Sequence, residues 1–178
     1  MNLPNKLTVG RMLAVPVLIA ALMLGHYYLS AVIFILAALT DMIDGMIARK
    51  YGLITNFGKI MDPLADKLLV ISALVCLVEL GDVAGWMVIV ILAREFIVTG
   101  LRTVAAASGL VIAAGSTGKI KTVLQMIAVA ALLLKNWPFY YIGVPFAQIM
   151  LWAAVIMTVI SGIEYIITNK QVFYRKEE

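Results

Sequence analysis

Long apolar stretches separated by short polar ones run along almost the whole chain. The stretches with few charged residues lie near residues 7–24, 27–48, 60–80, 83–107, 117–135 and 139–167. Each approaches the roughly 20 residues that a helix needs to cross a bilayer. In most of them the cleanest apolar run is shorter, and residues that carry charge at one end complete the length. The pattern predicts an all-α membrane protein with six transmembrane helices.

The composition agrees with this prediction. Of the 178 residues, 63% are hydrophobic and 13% are charged. Such values exclude an ordinary soluble domain and a disordered chain. The length fits one compact bundle, so we expect a single membrane-embedded domain over residues 1–178, with residues 1–6 as an interfacial segment.

The basic residues separate onto one side of the predicted bundle. If the N-terminus is cytosolic, every Lys and Arg except Lys135 falls on the inside. The positive-inside rule therefore predicts that both termini are cytosolic. The net charge of +4 follows from this bias and gives no reason to expect a nucleic-acid partner.

The first predicted helix has a second interpretation, because a basic start followed by an apolar stretch is also typical of a signal peptide. No small-residue cleavage site follows it, and Gly25-His26-Tyr27-Tyr28 resembles a short interfacial loop. We therefore interpret residues 1–24 as a retained helix.

Four of the five aspartates lie within 26 residues, at the predicted cytosolic ends of the second and third helices. Asp41 and Asp44 are three residues apart and Asp62 and Asp66 are four apart, so each pair shares one face of a helix. Pro63 indicates that the third helix either begins at Asp62 or bends there. Two such helices facing each other would bring four carboxylates into one pocket.

Four adjacent carboxylates repel one another strongly where the dielectric is low. Magnesium offsets this repulsion, since it prefers carboxylate oxygens together with substrate phosphate. Two ions about 3.5–4 Å apart would clamp both oxygens of a phosphoryl displacement. Gly45 and Gly58 leave space for a ligand near the backbone, and Arg49 is placed to bind a phosphate with its forked donors. We therefore expect two Mg²⁺ ions, or Mn²⁺ in their place, and a phosphate-bearing ligand.

Two other interpretations use the same aspartates. They would form a purely structural network if neighbouring Arg and Lys side chains neutralised them. They would serve a cation- or proton-coupled transporter if they lined a transport path. Transporter sites lie near the midplane of the bilayer, however, whereas these carboxylates are predicted at one face, and the sequence shows no inverted repeat.

The spacing Asp-x₂-Asp-Gly-x₂-Ala-Arg-x₈-Gly-x₃-Asp-x₃-Asp is present from Asp41 to Asp66. It resembles the signature of the CDP-alcohol phosphatidyltransferases, a family of six-helix membrane enzymes. Polyprenyl transferases also carry aspartate-rich helices, but they lack the Gly-x₂-Ala-Arg continuation. Residues 2–11, 61–69, 93–102 and 118–122 resemble the bacterial members that use glycerol 3-phosphate as acceptor.

This resemblance implies an enzyme that transfers phosphatidyl from CDP-diacylglycerol to sn-glycerol 3-phosphate and releases CMP. Serine, inositol or phosphatidylglycerol as the acceptor is the main alternative. The resemblance also implies a homodimer in the bacterial cytoplasmic membrane, with the active site facing the cytosol and membrane lipids around it.

Carried onto this chain, the resemblance assigns the four aspartates to metal binding, with Asp66 also the catalytic base. The implied CDP-binding residues are Thr8, Asp41, Gly45, Arg49 and Gly58. The acceptor carries its own phosphate and needs a second basic site on the cytosolic side. The candidates for it are Arg94, Arg102, Lys119 and Lys121, although each alone is equally explained as a charge that sets topology, and Glu95 is placed to neutralise Arg94.

Overall fold

A computed structural model describes the backbone of residues 3–51, 56–107 and 115–170. It describes the side chains in these ranges except at 3–5, 42–51, 56, 57, 59, 60 and 107. The α-helices are Leu3–Met23 (α1), Tyr27–Tyr51 (α2), Asn56–Glu79 (α3), Gly85–Ala107 (α4), Ser116–Leu133 (α5) and Phe146–Thr168 (α6). These ranges contain no strand, so the all-α prediction is confirmed.

Two predicted helix starts are too late. Helix α1 begins at Leu3, inside the predicted interfacial segment of residues 1–6, where the helix itself was expected from residue 7. Helix α3 begins at Asn56 and continues through Pro63, so the first of the two alternatives, a start at Asp62, is wrong. A proline removes one backbone hydrogen bond, and membrane helices tolerate that loss. Pro16 lies inside α1 in the same way.

The predicted start of the last helix is also wrong, because residue 139 opens a short 3₁₀ turn, Phe139–Ile142. Gly143 follows with a φ of +68°, a left-handed conformation that ends a helical turn and that glycine adopts without strain. Helix α6 begins after Pro145, a residue suited to helix starts because it lacks a backbone N–H.

The six helices pack as two groups of three. Helix α1 contacts α2 and α3, while α6 contacts α5 and α4; contacts of α3 with α4 and α5, and of α2 with α5, join the groups. All six helices contribute to one apolar core. Its fully buried side chains include Leu18, Phe34, Leu74, Ile91, Leu133 and Leu151.

The outer surface of the bundle is apolar, as expected for a membrane protein. Large side chains such as Leu13, Ile89 and Phe96 are 65%, 66% and 70% exposed. Among the described residues, Lys6–Met23, Ser116–Leu133 and Phe146–Thr168 are long and apolar enough to cross a bilayer. Tyr27–Asp41 is a shorter apolar stretch. That α2, α3 and α4 also cross the membrane stays a prediction.

Lys135, the residue predicted on the outside, lies just beyond the end of α5 and contacts Asp82, which follows the end of α3. Its Nζ is 3.1 Å from Asp82 Oδ2 and 3.5 Å from the centre of the Tyr27 ring. Burial disfavours its charged form, but hydrogen bonds with Tyr27 and Asp82 outweigh this effect and raise the pKa of Lys135. The contribution to stability is therefore complete at neutral pH and is lost only at strongly alkaline pH.

Candidate active site

Polar side chains of α1 face the carboxylates of α2 and α3. Thr8 and Arg11 are three residues apart, so both lie on the same side of α1. The Thr8 hydroxyl donates a hydrogen bond of 2.5 Å to Asp62 Oδ1. Arg11 Nη1 lies 2.8 Å from Asp41 Oδ1 and 2.7 Å from Asp66 Oδ1. Three of the four predicted aspartates therefore meet at the first helix.

Arg11 places a positive charge between two carboxylates. The arginine side chain is 1% exposed, whereas those of Asp41 and Asp66 are 32% and 38% exposed. A buried cation is stable in such a place only when it is paired. The pair of carboxylates therefore already accommodates one cationic group.

The donor set at this position suits a divalent metal. Carboxylate oxygens are the ligands that magnesium prefers, and magnesium commonly takes one or two of them and completes its shell with water and phosphate. Within the described residues, no three acidic, His or Cys side chains are close enough to enclose an ion. The carboxylates of Asp41 and Asp66 are donors of the type that magnesium takes.

Several predicted site residues have a described backbone only. Asp44, Gly45 and Arg49 belong to α2, but their side-chain surroundings lie outside the described residues. Gly58 is described and is buried one turn before Asp62 on α3.

A cavity of about 250 Å³ extends from the carboxylates toward α4 and α5. Asp41 and Asp66 line its acidic end, and Lys67, Glu95 and Lys121 line its basic end. Apolar side chains, among them Val70, Ile71 and Met126, form much of the remaining lining. One cavity therefore offers a site for a cation next to a site for an anion.

The basic end is organised around Glu95. Its Oε1 accepts hydrogen bonds from Lys121 Nζ at 2.7 Å and Arg94 Nη1 at 3.0 Å. Lys67 Nζ lies 3.6 Å from Oε2 and donates a hydrogen bond of 2.6 Å to the Thr99 hydroxyl. Three cations and one anion give this cluster a net charge of +2.

The four predicted acceptor residues are not all in one place. Lys121 lines the cavity, and Arg94 is joined to it through Glu95. Arg102 is exposed, donates from Nε to the Tyr165 hydroxyl at 3.2 Å, and stacks on that ring. Lys119 is exposed near the start of α5. The structure therefore brings Arg94 and Lys121 together, and places Arg102 and Lys119 elsewhere.

Two residues near the carboxylates, Arg11 and Lys67, had no assigned binding role in the sequence-based prediction. Glu95 was predicted only to neutralise Arg94, and the structure confirms that pairing. The sequence does contain an indication for Arg11, because Thr8 and Arg11 form a polar pair at helical spacing on a largely apolar helix. Glu95 is the one acidic residue of α4, and an isolated carboxylate in a membrane helix indicates a binding role.

The fold and this site define an all-α membrane protein with a charged internal cavity. The family can be named as well. The profile of the CDP-alcohol phosphatidyltransferase family matches residues 1–160, and the chain belongs to this family.

Relatives with assigned names match over almost the whole chain. A CDP-diacylglycerol–glycerol-3-phosphate 3-phosphatidyltransferase of Bacillus subtilis is 48% identical, covering 94% of this chain and 95% of the relative. A protein of the same name from Rickettsia felis is 40% identical, with 97% of each chain covered. A probable phosphatidylglycerophosphate synthase of Mycobacterium tuberculosis is 41% identical over 93% of this chain and 80% of its own length.

Proposed function

We propose that this protein transfers phosphatidyl from CDP-diacylglycerol to sn-glycerol 3-phosphate, giving phosphatidylglycerophosphate and CMP. The observation that carries the proposal is the single cavity with carboxylates at one end and a cluster of net charge +2 at the other. The first end suits a metal-bound pyrophosphate, and the second suits a dianionic phosphate. The names of the relatives, which match nearly full length, support the same reaction.

In this proposal the four aspartates hold two Mg²⁺ ions, which supply positive charge for the pyrophosphate and for the CMP that leaves. Arg11 keeps Asp41 and Asp66 close together, and Thr8 fixes one oxygen of Asp62. These contacts therefore orient the carboxylates before the substrates bind.

Asp66 is the proposed base, because it lines the cavity on the side that continues toward the lysines. Its carboxylate takes the proton of the acceptor's hydroxyl. The glycerol oxygen then forms a bond to the phosphorus that bears diacylglycerol, and the bond from that phosphorus to the CMP oxygen breaks. The electron pair leaves with CMP.

Nucleotide binding is proposed at the carboxylate end. The residues assigned to it are Thr8, Asp41, Gly45, Arg49 and Gly58. Asp41 pairs with Arg11, Thr8 donates a hydrogen bond to Asp62, and Gly58 is one turn from Asp62. Small residues in these positions allow the backbone to approach a nucleotide closely.

The acceptor's phosphate is proposed to bind Lys121 and Lys67, with Arg94 behind them. A charge-assisted contact to a phosphate oxygen is among the stronger hydrogen bonds, and apolar walls strengthen it further. Arg102 and Lys119 were also expected to bind this phosphate. Variants of Lys121 and Lys67 on one hand, and of Arg102 and Lys119 on the other, distinguish the two assignments.

We further propose that all six helices cross a bacterial cytoplasmic membrane, with both termini and the site on the cytosolic side, and that two copies form a homodimer. The distribution of Lys and Arg supports the orientation. The exposed apolar surface supports the membrane location.

The decisive experiment measures CMP release by the purified protein with CDP-diacylglycerol, Mg²⁺ and separate acceptors. We expect release with glycerol 3-phosphate, and none with serine, inositol or phosphatidylglycerol. Chelation by excess EDTA should abolish it, and Mg²⁺ or Mn²⁺ should restore it. Release with a different acceptor would refute the acceptor assignment, and release that persists in EDTA would refute the metal-dependent mechanism.

A further inference from the structure

Cations from three helices converge on one carboxylate. Lys67 comes from α3, Arg94 from α4 and Lys121 from α5, and all three lie within 3.6 Å of a Glu95 oxygen. We propose that Glu95 is a positioning residue that holds Lys67 and Lys121 in place for the acceptor's phosphate, with Arg94 as its anchor. This inference rests on the proposed function.

The two lysines need such a residue because they repel each other. Lys121 is 4% exposed in its side chain, so it has little freedom to move away, whereas Lys67 is 35% exposed and can turn toward solvent. Glu95 uses one oxygen for each lysine. It therefore keeps two like charges at one end of the cavity before the phosphate binds.

The Arg94 side chain packs closely against two glycines. A Cβ added to Gly162 on α6 would lie 3.1 Å from Arg94 Cγ, and one added to Gly118 on α5 would lie 3.2 Å from Nη2. Both distances are closer than ordinary carbon contacts. The arginine thus passes between two glycines, and its Nη1 reaches Glu95. Its position fixes that of Glu95 from the side away from the cavity.

Gly162 should matter more than Gly118. Its contact is with Cγ, close to the backbone, so a methyl group there must displace the stem of the arginine by a few tenths of an ångström. The contact of Gly118 is with the end of a flexible side chain, which can yield by a small rotation. Substitution at Gly162 should therefore disturb the anchor more strongly.

A simpler role for Glu95 predicts the opposite result. If Glu95 only reduced the positive charge, removing its own charge would raise the cluster from +2 to +3 and strengthen phosphate binding. If Glu95 positions the lysines, removing its charge lets them separate and weakens phosphate binding. The sign of the change in KM for the acceptor distinguishes the two roles.

The test compares Glu95→Gln with the wild-type protein in Mg²⁺-supported turnover. We expect KM for glycerol 3-phosphate to rise about tenfold, with KM for CDP-diacylglycerol unchanged within about twofold, because about one charged hydrogen bond is lost. Glu95→Asp, which keeps the charge, should recover part of the loss. An unchanged or lower KM for glycerol 3-phosphate overturns the inference, and so does an equal rise for both substrates.

Gly162→Ala tests the anchor, and Gly100→Ala is its control, because a Cβ at Gly100 meets no atom within 4 Å. We expect Gly162→Ala to raise KM for glycerol 3-phosphate in the wild-type background and to add little in Glu95→Gln, since both act through Glu95. Fully additive effects would mean that Gly162 acts on helix packing alone, which overturns the anchor.

Binding of inorganic phosphate separates this inference from the proposed function. In thermal unfolding, we expect phosphate to stabilise the wild-type protein more than Glu95→Gln, whether or not turnover is observed. A wild-type protein without acceptor-dependent CMP release would refute the proposed function. Equal stabilisation of both proteins by phosphate would refute the role of Glu95.

Discussion

At the scale of single residues, Arg11 joins the first helix to carboxylates of the second and third helices. It is a buried cation on an apolar helix, and it persists there because Asp41 and Asp66 both pair with it. Removal of one partner from a fully buried ion pair costs about 3–5 kcal/mol. The cost here should be lower, because both carboxylates are about a third exposed to the cavity.

Replacement of Arg11 should make the protein depend more on metal for its stability. In Arg11→Gln, Asp41 and Asp66 lose the cation between them, and a divalent ion becomes their main counter-charge. We expect a lower Tm without metal and a larger rise in Tm on addition of Mg²⁺ than in the wild type, measured by thermal unfolding in detergent. Lys6→Gln, an exposed change on the same helix, is the control. An equal metal-induced rise in all three proteins would contradict this role.

Replacement of Asp66 should affect turnover and leave the fold intact. Asp66→Asn keeps the shape of the side chain but cannot accept the proton of the acceptor. We expect kcat to fall by at least ~100-fold, the usual scale for loss of a general base. Helical content and binding of CDP-diacylglycerol should be retained. Turnover near the wild-type rate would remove Asp66 from the role of base.

At the scale of helices, the pattern of apolar and charged residues predicted the order of the helices and the faces that the aspartates share. The charge-poor stretches gave six helices in the right order, and the spacing of the aspartates put each pair on one face. The exact starts of α3 and α6 were missed, because Pro63 does not interrupt α3 and because Gly143 ends a 3₁₀ turn before α6 begins. The pairing of helices was also not predictable, so the sequence indicated no partner for Arg11, and for Glu95 it indicated only the adjacent Arg94.

Two lysines on one helix test the acceptor site. Lys121 is buried at the cavity, whereas Lys119, two residues earlier on α5, is exposed. A charge-assisted contact contributes roughly 1.5–3 kcal/mol. We therefore expect Lys121→Gln to raise KM for glycerol 3-phosphate about ten- to a hundredfold, and Lys119→Gln to change it little.

Steady-state kinetics with both substrates gives the result, and KM for CDP-diacylglycerol should be similar in the two variants. A large rise in KM for glycerol 3-phosphate in Lys119→Gln would instead support the larger acceptor site predicted from the sequence, which included Lys119. Arg102→Gln belongs in the same series, because its contact with Tyr165 predicts an effect on stability more than on KM.

The whole molecule has its charged cavity near one end and an ion pair of Lys135 with Asp82 at the other. Helix α3 runs between them, with Asp62 and Asp66 in its first half and Asp82 just beyond its end. Exposed aromatic residues such as Trp137, Tyr140 and Tyr141 lie at the Lys135 end. Such residues commonly mark a membrane–water interface.

This polarity predicts which end faces the cytosol. In a Cys76→Ser background, which removes the one cysteine, Lys119→Cys and Tyr140→Cys place single thiols at opposite ends. With a membrane-impermeant maleimide on intact cells, we expect Tyr140→Cys to be labelled at once and Lys119→Cys only after permeabilisation. The reverse pattern would invert the proposed topology.

The small size of the cavity has a consequence for how the reaction is measured. Its volume of about 250 Å³ is below the roughly 300–1,000 Å³ of pockets that enclose drug-sized ligands. A lipid with two acyl chains therefore keeps those chains in the surrounding bilayer, where apolar groups are favoured. One reactant then arrives by lateral diffusion and the other from bulk water. Diluting the lipid donor with inert lipid should slow the reaction even when the total amount of donor is constant. The rate should therefore depend on the surface density of the donor and not on its bulk concentration.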